Sequence, residues 1–181
     1  MVTEDVTKRG HRRGYVRGFA REIDVITMAF NKSYVIDNDI RDLAERVVKV
    51  YADCIGYIDT DRILFIRETL GGMSKAAAKC RLVQEPYASL LSELGHDVDW
   101  IIEFYSYHTE GKSPEWLAIL MLHELMHIGA DGKIVDHDIK DFRDILRGVG
   151  VDWSSYSNLP DIITDKIALH SLMMRNPVID E

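Results

Sequence analysis

Cysteine is almost missing from this chain: Cys54 and Cys80 are the only two in 181 residues. They stand in no CxxC or other metal-knuckle spacing and make no disulfide framework, which suits a reducing compartment. Long apolar runs are missing too. The longest, Trp116 to Leu122, falls far short of the roughly 20 residues that a bilayer-spanning helix needs. Near the N-terminus, charges occupy the place where a secretory signal would carry its apolar core. No membrane association is expected, and the expected location is cytoplasmic. Repeats, low-complexity tracts and interdomain linkers are also lacking. With 46% apolar and 29% charged residues, the composition is that of one soluble globular domain with a proper core.

Positive charge is in deficit overall. A formal net charge of −8 argues against a globally basic nucleic-acid binder. One segment reverses the balance: from Val6 to Arg21 the chain carries Lys8, Arg9, Arg12, Arg13, Arg17 and Arg21, and no acid. The ordinary reading is a solvated arm or the first turns of a helix. The sharper one is an arm that contacts the phosphates of a nucleic acid. Glycines at 10, 14 and 18 weaken a helix there and leave both open. The expected organisation is a basic arm over 1–22 and a single domain over 23–181.

What is present reads as α+β. Ile23 to Phe30 is an apolar patch of no clear type. Asn38 or Asp39 can cap a helix running to about Ala52, with Ile40, Leu43, Val47, Val48 and Tyr51 near helical spacing. Arg62 to Arg67 (RILFIR) reads as a strand. Ala76 to Val83 is helical by its alanines and strand-like by its end. Val98 to Tyr107 (VDWIIEFYSY) alternates as a strand, with Trp100, Ile102, Phe104 and Ser106 on one face and Ile101, Glu103, Tyr105 and Tyr107 on the other. Ser113-Pro114-Glu115 supplies an N-cap, a first-turn proline and an acid for a helix over about Pro114 to Ile128. Further helices are expected from His137 or Asp138 to Gly148, and from Pro160 to Met174. These elements predict a small, mainly antiparallel sheet with helices packed on it.

The helix over 114–128 holds the chemistry. Its apolar run is interrupted by His123, Glu124 and His127, an H-E-x-x-H pattern. Residues four apart on a helix lie on one face, so the two imidazoles can converge on one zinc ion. Glu124, one position on, points beside the ion, where it can act as general base and acid on an attacking water. The neighbours Leu120, Met121, Leu122, Leu125, Met126 and Ile128 predict burial, where an unpaired carboxylate is costly without a metal or partners.

Three protein ligands and an open fourth position make a catalytic zinc site. His137 lies ten residues beyond His127, across a glycine-containing turn that can bring it back over the ion, and is the expected third ligand. Asp136, Asp138 and Asp141 are its acidic competitors; Asp138 or Asp141 can instead hold a ligating histidine from behind. His170 is a weaker competitor. His11, His96 and His108 have no spacing that favours them.

The stretch HELMHIGADGKIVDHDIKDF resembles the active-site region of the putative phage metallopeptidase family, one of the short zincins. The likeness extends upstream in order and pattern, over roughly Asp39 to Leu146. The region is also similar to SprT-like proteases, in which a downstream His-Gly-x-x-Phe histidine completes the zinc site; His137-Asp138-Ile139-Lys140-Asp141-Phe142 stands in that place here. The metzincin subgroup is excluded, because Ala130 and Lys133 stand where its glycine and histidine would be. The CxxC zinc ribbon of many SprT-like proteins is missing, and with it the basis for their DNA-repair role.

What the resemblance implies is a zincin-like fold, zinc as cofactor, and hydrolysis of a protein or peptide substrate. In related zincins a sheet edge beside the active-site helix aligns the substrate, here the VDWIIEFY strand or its neighbour. Tyr105, Tyr107, His108 and Tyr156 are candidates for stabilising the oxyanion. Two other functions share the same site. One is an ImmA-like protease that cleaves a repressor of a mobile element. The other is a zinc-stabilised module without turnover that binds nucleic acid or protein.

Overall fold

Alternation and end-capping account for most of the elements that a computed structural model describes, over residues 26–28, 32–70, 74–137 and 140–169. Strands β1 (Ile26–Met28) and β2 (Lys32–Ile36) open the domain as an antiparallel pair. Helix α1 (Asn38–Val50) follows, its N-terminus closed by Asp37, whose carboxylate accepts the Ile40 amide at 3.0 Å. The cap lies one residue before the Asn38 or Asp39 expected. Ile40, Leu43, Ala44 and Val47 form the buried stripe of α1. A short helix, α2 (Ala52–Ile55), comes next, and strand β3 (Ile63–Glu68) after it. The ambiguous segment resolves as strand β4 (Ala78–Leu82). Helix α3 (Tyr87–Glu93), strand β5 (Trp100–Tyr105) and the single turn α4 (Ser106–Thr109) then lead to α5 (Pro114–Met126). Helix α6 (Arg143–Val149) and a 3-10 turn at Trp153–Ser155 follow. The basic arm over 1–22 lies outside the described residues.

Among the described residues the fold is α+β, with one five-stranded sheet in the order β1-β2-β3-β5-β4. Three of its four pairings are antiparallel, but the central pair, β3 and β5, is parallel. The sheet is therefore mixed. The chain leaves β3, forms β4 and α3, and only then returns to lie beside β3, so β4 ends at the sheet's edge.

Trp100, Ile102 and Phe104 of β5 point with Ile63 and Phe65 of β3 into one core shared with α1 and α5. The opposite face of β5 is not solvated either: Glu103 is buried, and Arg81 Nη2 donates to its Oε2 at 2.7 Å. Helix α5 is apolar nearly all round and correspondingly buried from Trp116 to Met126, with Leu117 and His123 as its partly exposed positions. No helix among the described residues is long and apolar enough to cross a membrane.

Two expected helices differ. The helix predicted from 137 or 138 begins only at Arg143, since His137 and residues 140–142 are not helical and Asp141 and Phe142 turn instead toward the end of α5. The helix predicted over 160–174 is not formed over its described residues, 160–169. There Asp161 accepts the amides of Ile163 and Thr164 in a local turn, and the chain then straightens. Tertiary bonds hold it so: the buried Tyr51 hydroxyl donates to the Ile162 carbonyl at 3.2 Å and accepts the Ile167 amide at 3.1 Å. Tyr51→Phe strands both backbone groups in the core. It should cost about 1–3 kcal/mol in urea unfolding; an unchanged unfolding midpoint would mean that other partners replace the phenol.

Candidate metal centre

Helix α5 carries the site because both of its ends are specified. Ser113 caps its start, accepting the Trp116 amide at 3.2 Å, and Pro114 takes the first helical position. His123 and Glu124 sit in its last turns, and His127 follows as its C-cap. Leu122, Leu125 and Met126 anchor this end, each at most 1% exposed. Truncating such a side chain to alanine costs about 2–5 kcal/mol, so the helix end is firmly held.

A tight return then doubles the chain back. The Gly129 amide donates to the Lys133 carbonyl at 2.9 Å, and Ile128 pairs antiparallel with Ile134. Gly132 turns with φ +75°, and a Cβ on Gly129 would lie 2.8 Å from the Lys133 carbonyl oxygen, so both positions need glycine. The return sets Val135 against His127: the Val135 amide donates to the His127 carbonyl at 2.8 Å, and the Val135 carbonyl accepts from His127 Nδ1 at 2.7 Å. With Nδ1 protonated, His127 Nε2 is left with its lone pair. Two residues on, His137 reaches over the helix end, its Nε2 3.0 Å from His123 Nε2.

One ligand atom from each of His123, His127 and His137 can thus be chosen with all three within 4.8 Å of one another. Phe142 forms a common floor, its ring centroid 5.3, 4.9 and 5.1 Å from those of His123, His127 and His137. Behind His123 stands Asp141, with Oδ1 2.8 Å from the imidazole Nδ1, though off the line of a well-formed hydrogen bond. Burial raises the Asp141 carboxyl, but His123, the Trp153 indole and the Phe142 amide outweigh it and hold the group below the ordinary aspartate value. Burial chiefly, with smaller contributions from the other two histidines, pushes the His127 imidazolium down to about 4 against the opposing Val135 carbonyl. The donor set is therefore imidazole nitrogen, with His127 neutral at pH 7, and it fits a borderline-soft divalent ion.

The sequence profile of the putative phage metallopeptidase family matches residues 32–164. This chain belongs to that family. No curated protein and no solved structure matches it. Membership in a metallopeptidase family implies a metal cofactor and protein or peptide substrates, and the three histidines can hold the ion.

The other candidate residues are placed as follows. Glu124 is 4% exposed, with its carboxylate against the Cys80 amide of β4. Of the candidate acids, Asp141 is set against His123, whereas Asp136 is exposed. Asp138 and His170 lie outside the described residues. Of the oxyanion candidates, Tyr105 is engaged with Arg81, and His108 Nε2 lies 2.7 Å from the Ser74 carbonyl. Tyr107 is exposed and meets the His108 ring edge-on, and Tyr156 lies over Gly150. Sequence reasoning missed Val135, Phe142 and Trp153. No spacing marks Val135 or Trp153, because each acts through a fold contact, while Phe142 stood in view at the end of the His137–Phe142 stretch.

Burial pushes the Glu124 carboxyl up to about 7, although His123 and the Cys80 amide pull it down. The metal-free folded chain thus holds this proton more tightly than the unfolded chain, where the value is 4.5. Stability from the protonated form is complete below the unfolded value and is lost as pH rises through about 7. Glu124→Gln should therefore stabilise the metal-free protein at pH 8 by about 2–3 kcal/mol, with most of the gap closing by pH 5. Parallel stability-versus-pH curves for wild type and variant would refute this.

Proposed function

We propose that this metallopeptidase is a zinc enzyme of zincin-like fold, with His123, His127 and His137 as ligands and Glu124 as general base and acid. One observation carries the reading: two imidazoles and a buried carboxylate end one helix, a third imidazole converges on them from the return behind it, and the carboxylate meets the edge strand of the sheet. Zinc bound there supplies Lewis-acid polarisation of the scissile carbonyl and a water of lowered pKa.

The chain's own groups do the rest. Glu124 takes a proton from the attacking water as its oxygen adds to the carbonyl carbon. It returns that proton to the amine nitrogen as the C–N bond breaks. The Cys80 amide fixes the orientation of the carboxylate. The protonation state is set by the same surroundings, since a carboxyl poised near neutrality can both accept and donate.

Substrate alignment falls to β4. Its flanking residues 77 and 83 bond to β5 and its approach, the Ala77 carbonyl accepting the Tyr105 amide at 3.0 Å and the Val83 amide donating to the Asp99 carbonyl at 2.7 Å. By antiparallel alternation, the backbone groups of Ala78, Cys80 and Leu82 face the outer edge. With the Cys80 amide taken by Glu124, those of Ala78 and Leu82 remain to receive an extended peptide as an added strand. The edge so loaded would run the scissile bond past Glu124.

Cys54 and Cys80 are both free thiols, which suits a cytoplasmic enzyme. A zinc-stabilised binding module would have no use for a carboxylate buried beside its ligands. Repressor cleavage by an ImmA-like protease would use this same chemistry and differs only in the substrate.

Labelled, denatured casein and zinc analysis of purified protein provide the test. Wild type should hold one zinc and cleave, losing activity to a chelator and regaining it with zinc. His123→Ala should lose the zinc. Glu124→Gln should keep zinc and fold while cleaving roughly a hundred- to ten-thousand-fold more slowly. Unchanged proteolysis by the zinc-loaded Glu124→Gln protein would contradict the assigned base.

A further inference from the structure

On the reading of His123 as a metal ligand, we propose that Trp153 is a positioning residue for the metal centre and acts on His123 through Asp141. The connection runs atom by atom. The Trp153 indole Nε1 donates to Asp141 Oδ2 at 2.8 Å. The other oxygen, Oδ1, accepts the Phe142 amide at 2.6 Å and faces His123 Nδ1. A carboxylate turns easily about its last bond. One donor on each oxygen removes that freedom and leaves the Oδ1 edge facing the imidazole.

Asp141 Oδ1 stands 2.8 Å from His123 Nδ1, off the line of a well-formed hydrogen bond, and a carboxylate brought into line there has two effects on a ligating imidazole. It fixes the tautomer, so that Nε2 keeps its lone pair for the ion, and it raises the basicity of that nitrogen. For His123, Nε2 is the atom directed at the triad, 3.0 Å from His137 Nε2. The orientation of Asp141 therefore governs the ligand quality of His123.

Trp153 is in turn held against the helix that bears His123. Its ring lies 5.6 Å from that of Trp116 at 48°, and Trp116 Nε1 donates to the Ser154 carbonyl at 3.1 Å. Trp116 stands in the first turn of α5 and His123 two turns later, roughly 10 Å along the axis. The 3-10 turn at 153–155 is thus fastened to both ends of α5, by Trp116 at one and by Asp141 and His123 at the other. Trp153 cannot drift along α5 without breaking one attachment.

The test is a double-mutant cycle on zinc affinity, measured on the full chain at fixed pH by competition with a chromogenic chelator. Asp141→Asn should weaken zinc binding by roughly 10- to 100-fold, the range found for groups that hold metal ligands. Trp153→Phe should weaken it several-fold in the wild-type background and not at all in the Asp141→Asn background. Replacing Trp153 with benzothienylalanine, which puts sulfur where the N–H is at nearly constant shape, should reproduce the Phe result if Phe itself disturbs packing. Wild-type affinity in the benzothienylalanine protein, or equal losses in both backgrounds, would overturn the relay while leaving the zinc site standing. A wild-type chain that bound no zinc would overturn the metal reading and the relay with it.

Discussion

Val135 holds His127 twice, by its amide on the histidine carbonyl and by its carbonyl on the histidine ring. Most of the site depends on this pair. The first bond closes the return after α5 and so determines where the next residues lie. The second orients the His127 ring and leaves Nε2 unprotonated. His137 comes two residues later, so the bonds that prepare one candidate ligand also deliver another. The two glycines in the return serve this pairing, since the chain must reverse within five residues.

A polar constellation at the end of the greasiest helix is expensive in the metal-free chain. The His127 ring is driven away from its charged form and the Glu124 carboxyl toward its neutral one, both chiefly by burial. These shifts make the two groups ready for their proposed uses: a neutral imidazole is a ligand, and a carboxyl near neutrality is a proton carrier. Around them the fold supplies directed contacts rather than additional charge. Phe142 floors all three rings, Asp141 backs His123, and the edge strand meets Glu124 through the Cys80 amide.

The motif was legible because helical spacing alone puts His123 and His127 on one face, and Ser113-Pro114 marks where that helix begins. The proximity of His137 to the other two histidines was legible through the glycine turn before it. That Asp141 comes to lie against His123 was not, since it depends on the tertiary course of the chain ahead of α6. The α+β class and strands β3 and β5 followed from short apolar alternation. Strand β2 was missed because it has only five residues, of which Ile36 is exposed, and α3 because none of its residues is buried. The helix expected over 160–174 failed for the opposite reason. Its pattern was locally acceptable, but over 160–169 the backbone is drawn elsewhere by a pair of hydrogen bonds from Tyr51. Local periodicity reports what a segment can do alone and is silent on such long-range claims.

The central claim is that three imidazoles from α5 and the return behind it hold one ion. X-ray absorption at the zinc K-edge of the loaded protein reads the ligand atoms directly. Three histidine nitrogens at roughly 2.0–2.1 Å, with one further light atom, are predicted. A sulfur shell at about 2.3 Å, or fewer than three imidazoles, would contradict the account.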